Sequence, residues 1–123
     1  MPQITLEYTS NINHDINFNE LFAEVHRVLS DVGNIDINNC KSRAIKLDDY
    51  YIGNGEIENA FIHLAIRLLE GREEELKRKI GWEIMKVLED FYYQCFTQHR
   101  FQITLEINDI FKNSYFKIPR IKY

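Results

Sequence analysis

The 123-residue chain is 45% hydrophobic and 28% charged, the proportions of a soluble globular domain with one core and no room for a second. Its formal charge of −4, with no basic stripe, argues against a nucleic-acid partner. No apolar run approaches the roughly eighteen residues of a membrane span, and the opening MPQITLEYTS lacks the basic and apolar regions of a signal peptide, so the expected location is the cytoplasm.

In chain order, Pro2 comes first, followed at once by the alternating run Ile4 to Tyr8, which predicts a strand. Asn17 caps a helix with Glu20 three residues on, and Ile16 and Leu21 are spaced as a hydrophobic staple. That helix runs to about Asp31, with Leu21, Phe22, Val25, Val28 and Leu29 inward, and Gly33 ends it. A second strand covers Ser42 to Leu47, before a turn at Gly53-Asn54-Gly55. Ala60 to Leu69 is almost continuously apolar, as in an interior strand covered on both faces. Gly71 breaks that run, and a long helix is predicted from Glu73 to His99. Gln102 to Ile107 forms the fourth strand. Its sequence QITLEI echoes QITLEY at Gln3 to Tyr8 and suggests two related halves.

The expectation is a single α/β domain, residues 1–123, of two βαβ units forming a four-stranded mixed sheet with two helices on one face. The halves span about 1–55 and 56–110, and an aromatic arm, 111–123, is expected to reach a neighbouring subunit. Two helices leave the other sheet face uncovered. Both faces of the third strand are partly apolar, so a monomer would expose an apolar sheet face, and a closed homo-oligomer with sheets packed inward is expected.

For chemistry, the chain offers no phosphate loop, nucleophile elbow or metal-ligand spacing. Cys40 and Cys95 read as reduced thiols, Cys95 on a packed helix face. His63 reads as a satisfied interfacial or core histidine, and Glu73-Glu74-Glu75 as helix-start charge. Pro2 is more pointed. Once Met1 is trimmed, its secondary amine becomes the chain terminus on an anchored strand; with Met1 attached, the nitrogen is an amide. A free α-amine titrates near 7.7–8.0, and burial beside cations would lower that into the range of a general base. Arg72 follows the Gly71 break, where a strand meets a helix start and anions gather. Lys41 and Arg43, one residue apart on a strand, point the same way.

The chain resembles the 5-carboxymethyl-2-hydroxymuconate isomerase family of the tautomerase superfamily, whose members use an amino-terminal proline. The resemblance runs nearly end to end. It includes Pro2 before ITLEY, Asn11-Ile12, Leu21-Phe22-Ala23, Ser42-Arg43, Ala60-Phe61-Ile62-His63, Gly71-Arg72, Leu105-Glu106-Ile107 and Phe116-Lys117. It implies a homotrimer with pockets around the terminal proline, no metal or organic cofactor, and a small anionic enol or dienol substrate. Pro2 would then be the catalytic acid and base, Arg72 would grip a carboxylate, and Lys41 and Arg43 would bind substrate. Where the family usually shows arginine-serine-arginine, this chain has Lys41-Ser42-Arg43, which replaces a planar fork by a point charge. Two alternatives stay open at this stage: a related tautomerase for another enol, and a non-catalytic trimeric binding protein on the same scaffold.

Overall fold

The computed structural model describes residues 1–119, so the last four residues of the expected arm lie outside the described part. Strands β1 (Gln3–Thr9), β2 (Lys41–Leu47), β3 (Asn59–Leu69) and β4 (Arg100–Ile110) form one sheet in the order β2-β1-β3-β4. Helix α1 (Phe18–Asp31) links the parallel pair β1 and β2, and α2 (Glu74–Phe91) links the parallel pair β3 and β4. The inner strands β1 and β3 run antiparallel, with Gln3 opposite Arg67 and Tyr8 opposite Ile62. Two βαβ units therefore lie back to back about a pseudo-two-fold axis.

The core follows from the period-two pattern of the strands. Ile4 and Leu6 of β1, and Ala60, Ile62, Leu64, Ile66 and Leu68 of β3, all face the helices and are buried. They meet Leu21, Val25, Val28 and Leu29 of α1 and Ile80, Ile84 and Leu88 of α2. Each fully buried leucine or isoleucine contributes roughly 1.5–3 kcal/mol. This layer fixes the sheet and hence the ends of its strands. The Asn17 side chain accepts from the Glu20 N–H at 3.1 Å, and Ile16 packs on the core beside Leu21, as the cap and staple require.

The sequence reading needs four corrections. The long second helix does not reach His99: α2 ends at Phe91 and a short α3 (Cys95–Gln98) follows, giving three helices instead of two. Tyr92 leaves the helical conformation to bury its ring against Phe101, with centroids 5.7 Å apart, while Cys95 still fills the core. No glycine or proline marks that break. Second, the echo QITLEY/QITLEI does not report the symmetry. It relates inner strand β1 to outer strand β4, whereas the pseudo-axis pairs β1 with β3. Third, the residue that turns the chain after α1 is Asn34 at φ 53°, not Gly33. A Cβ on Gly33 would stand 2.8 Å from the Leu29 carbonyl oxygen and 3.0 Å from Ile80 Cδ1, so that glycine serves close approach of the two helices.

The fourth correction concerns the uncovered face. It carries Gln3, Thr5 and Glu7 from β1, Lys41 and Arg43 from β2, and Thr104 and Glu106 from β4; the apolar exceptions include Phe61, Ala65 and Ile45. It is mostly polar, so the inference of an oligomer from an apolar face fails. His63 lies on this face rather than in the core, satisfied by Thr104 Oγ1 at 2.7 Å and Glu106 Oε1 at 3.1 Å.

Candidate active site

The strand directions gather one set of ends at one edge of the sheet: the starts of β1 and β2 and the finishes of β3 and β4. Pro2 sits there, buried, and its carbonyl accepts from the Lys41 N–H at 3.2 Å. The amino terminus is thus anchored to β2 before the regular ladder begins. At Gly71 the chain leaves β3 with φ 114°, a conformation that favours glycine. This delivers Arg72 to the same edge, half-buried, with Nη1 donating to the Leu69 carbonyl at 3.1 Å.

After β4 the described part of the C-terminal arm crosses this edge. The Lys112 N–H donates to Glu70 Oε2 at 2.7 Å, and Gln3 Nε2 donates to the Tyr115 hydroxyl at 3.1 Å. Lys117 Nζ donates to Asn39 Oδ1 at 3.3 Å and lies 3.8 Å from Met1 Sδ. Those contacts bridge sequence separations of more than seventy residues, and they place a third cation over the terminus.

Electrostatics set this edge apart. The Met1 amine is held below its ordinary value of 8.0, first by burial and then by the Arg72 guanidinium. Lys117 and Lys41 act in the same sense, and the Cys40 thiol opposes them. Burial pushes the Cys40 thiol up, which keeps it protonated and a poor nucleophile. Among the described residues, Arg72, Lys41 and Lys117 have no carboxylate partner. Cations without carboxylate partners among the described residues thus surround a half-buried amine whose pKa is held down. The amine in question is that of Met1. Trimming would transfer the terminus one residue inward, to the secondary amine of Pro2.

Of the residues singled out from sequence, Pro2, Arg72 and Lys41 converge. Arg43 does not join them directly. It faces the same way as Lys41, but it stands opposite Thr5, and its Nη1 donates to Gln3 Oε1 at 2.6 Å. A side-chain chain therefore runs from Arg43 through Gln3 to Tyr115. Sequence reasoning gave no role to Gln3, Asn39, Tyr115 or Lys117; the one signal for Lys117 was its place in the family-like Phe116-Lys117 pair. A cleft of about 410 Å3 lies elsewhere, between α2 and β4, lined by Trp82, Met85 and Leu105 among others, away from these cations. Among the described residues no cluster of histidine, cysteine, aspartate or glutamate is arranged to hold a metal, and no helix is long and apolar enough to cross a membrane.

The family model for 5-carboxymethyl-2-hydroxymuconate isomerase matches residues 2–122, beginning at Pro2 itself. The chain belongs to that family. The 5-carboxymethyl-2-hydroxymuconate Delta-isomerase of Escherichia coli is 21% identical over 117 residues, 95% of this chain and 93% of that protein. The crystal structure of a 5-carboxymethyl-2-hydroxymuconate isomerase from Deinococcus radiodurans R1 superposes with a TM-score of 0.86 at 29% identity, covering 94% of this chain and 87% of the other. A fused 4-OT wild type symmetric trimer shares the fold at a TM-score of 0.72 and 13% identity, over 94% of this chain and 91% of its own. As a member of the 5-carboxymethyl-2-hydroxymuconate isomerase family, the chain puts its buried proline, Arg72 and Lys41 at one corner of the shared scaffold.

Proposed function

We propose that the protein is a cofactor-independent isomerase of 2-hydroxy-2,4-dienoates that carry more than one carboxylate, of which 5-carboxymethyl-2-hydroxymuconate, with three, is the example the family name supplies. The observation that carries this reading is the half-buried amino terminus with cations near it that, among the described residues, lack carboxylate partners. Removal of Met1 frees the Pro2 nitrogen. Set in the surroundings that hold the Met1 amine down, it acts as the base and takes the proton of the enol hydroxyl. The oxygen lone pair then forms the C2 carbonyl, the C2–C3 double bond moves to C3–C4, and the C4–C5 pair accepts the proton back from the prolinium at C5. The product is a 2-oxo-3-enoate, and nothing is oxidised or reduced.

Arg72 grips the carboxylate next to the developing dienolate and stabilises its charge from a fixed position. Lys41 binds substrate as a point charge, and Arg43 adds to the positive potential along the same face while bonded to Gln3. The working assembly is a homotrimer in the cytoplasm that binds neither nucleic acid nor membrane. The outer strands β2 and β4 leave edges available for such an assembly. Lys41 favours one second reading, a related tautomerase for a different enol, because an ammonium lacks the fork that holds a carboxylate in two places.

The test is a spectrophotometric isomerisation assay on protein freed of Met1, comparing Pro2 with Pro2→Ala. Turnover by the first and its collapse in the second is the expected result. Equal rates in both would end the reading.

A further inference from the structure

We propose that Lys117, carried over the amino terminus by the C-terminal arm, is a substrate-binding residue that takes the second carboxylate of a dicarboxylate ligand. This inference rests on the isomerase reading above and extends it to specificity. An ammonium group has three donors. Among the described residues its polar partners are one neutral amide oxygen, Asn39 Oδ1 at 3.3 Å, and one weakly accepting thioether, Met1 Sδ at 3.8 Å. Neither neutralises its charge. The Met1 thioether takes up one of the ammonium's donor directions. Trimming of Met1 therefore does two things at once: it liberates the Pro2 nitrogen and it removes the thioether contact of a nearby cation.

The arm is not placed there loosely. Its first turn is fixed by the Lys112 N–H on Glu70, and its middle by Tyr115 on Gln3. Gln3 is itself fixed, since its Oε1 accepts from Arg43 while its Nε2 donates to Tyr115. Arg43 is thereby a positioning residue: it orients Gln3, which orients the arm, which sets Lys117. With Arg72 at the finish of β3 and Lys117 delivered from beyond β4, the corner presents two cations from separate elements. That arrangement suits a ligand with an anionic group at each end better than one with a single carboxylate.

The experiment uses two planar six-carbon probes that cannot tautomerise: muconate, with two carboxylates, and sorbate, its monocarboxylate counterpart. Both are titrated by calorimetry into Met-free full-length wild type, Lys117→Ala, Lys117→Arg and Arg43→Ala, with thermal melts to confirm folding. Losing one charge-assisted contact is expected to weaken muconate binding about tenfold in Lys117→Ala. Sorbate affinity should move by no more than about twofold. Lys117→Arg should restore most of the muconate affinity, and Arg43→Ala should weaken muconate selectively while Lys117 is still present. Wild type that retains Met1 should bind muconate more weakly than the trimmed form. Equal losses for both probes, no loss for either, or wild type that fails to bind muconate would overturn the assignment. Since binding is read without turnover, a failed Pro2→Ala comparison and a failed Lys117 assignment are separate results.

Discussion

The two halves of the molecule offer matching corners. At one, the Lys41 N–H donates to the Pro2 carbonyl at 3.2 Å; at the pseudo-equivalent one, the Arg100 N–H donates to the Glu58 carbonyl at 3.0 Å. Each cation opens an outer strand, Lys41 in β2 and Arg100 in β4. Their side chains then part company. Arg100 is paired with Glu56 at 2.7 Å and lies 3.7 Å from Glu58, whereas Lys41 has no acidic partner among the described residues. One backbone geometry thus carries a paired cation on one side and, among the described residues, an unpaired one on the other. The difference lies in where carboxylates are present and where they are withheld.

The sharpest way to break this comparison is to exchange the residues at the two matching carbonyls. In trimmed protein Pro2→Ala should lower kcat by about 10²–10⁴-fold, the usual contribution of a positioned acid–base group. Glu58→Ala, at the equivalent position, should leave kcat within about twofold. Arg72→Ala comes next. Stopped-flow kinetics on a dienol dicarboxylate should show kcat/KM reduced by about 10²–10³-fold, as for loss of a preorganised group facing developing charge.

A subtler substitution turns the open corner into a paired one. Asn39→Asp places a carboxylate where Lys117 Nζ already donates at 3.3 Å. It should occupy Lys117 and raise KM by about three- to tenfold. The new negative charge also favours the protonated amine and raises its pKa. Since the base acts unprotonated, the acidic limb of the kcat/KM profile should move to higher pH. An unmoved limb would mean that this corner does not govern the titration.

Much of this was legible from sequence because it is local. Asn17, Glu20, Ile16 and Leu21 sit within one helical turn of each other, and strand alternation announces itself over a few residues. Pro2, Arg72 and Lys41 could be chosen by chemistry and by position at element ends. The break at Tyr92 was not legible, because Leu88, Tyr92 and Cys95 keep helix-like spacing through the turn, and tertiary packing on Phe101 decides the outcome. The arm was not legible either. Gln3 and Tyr115 are 112 residues apart, and Met1 and Lys117 are 116 apart. No periodicity connects such positions; only the folded sheet brings them to one edge. The polar character of the uncovered sheet face is visible in Gln3, Thr5, Glu7, Thr104 and Glu106; Phe61 and Ala65 of β3 are apolar members that mislead when taken for the whole face.

The central claim is that burial, reinforced by neighbouring cations, lowers the pKa of the freed proline nitrogen. The chain has two prolines, and Pro119 is bonded through its nitrogen to Ile118, so 15N-proline labelling leaves one titrating signal in Met-free protein. An NMR pH titration of that signal, folded and then unfolded in denaturant, tests the claim directly. The account predicts a lower midpoint in the folded protein; a folded midpoint equal to or above the unfolded one would contradict it.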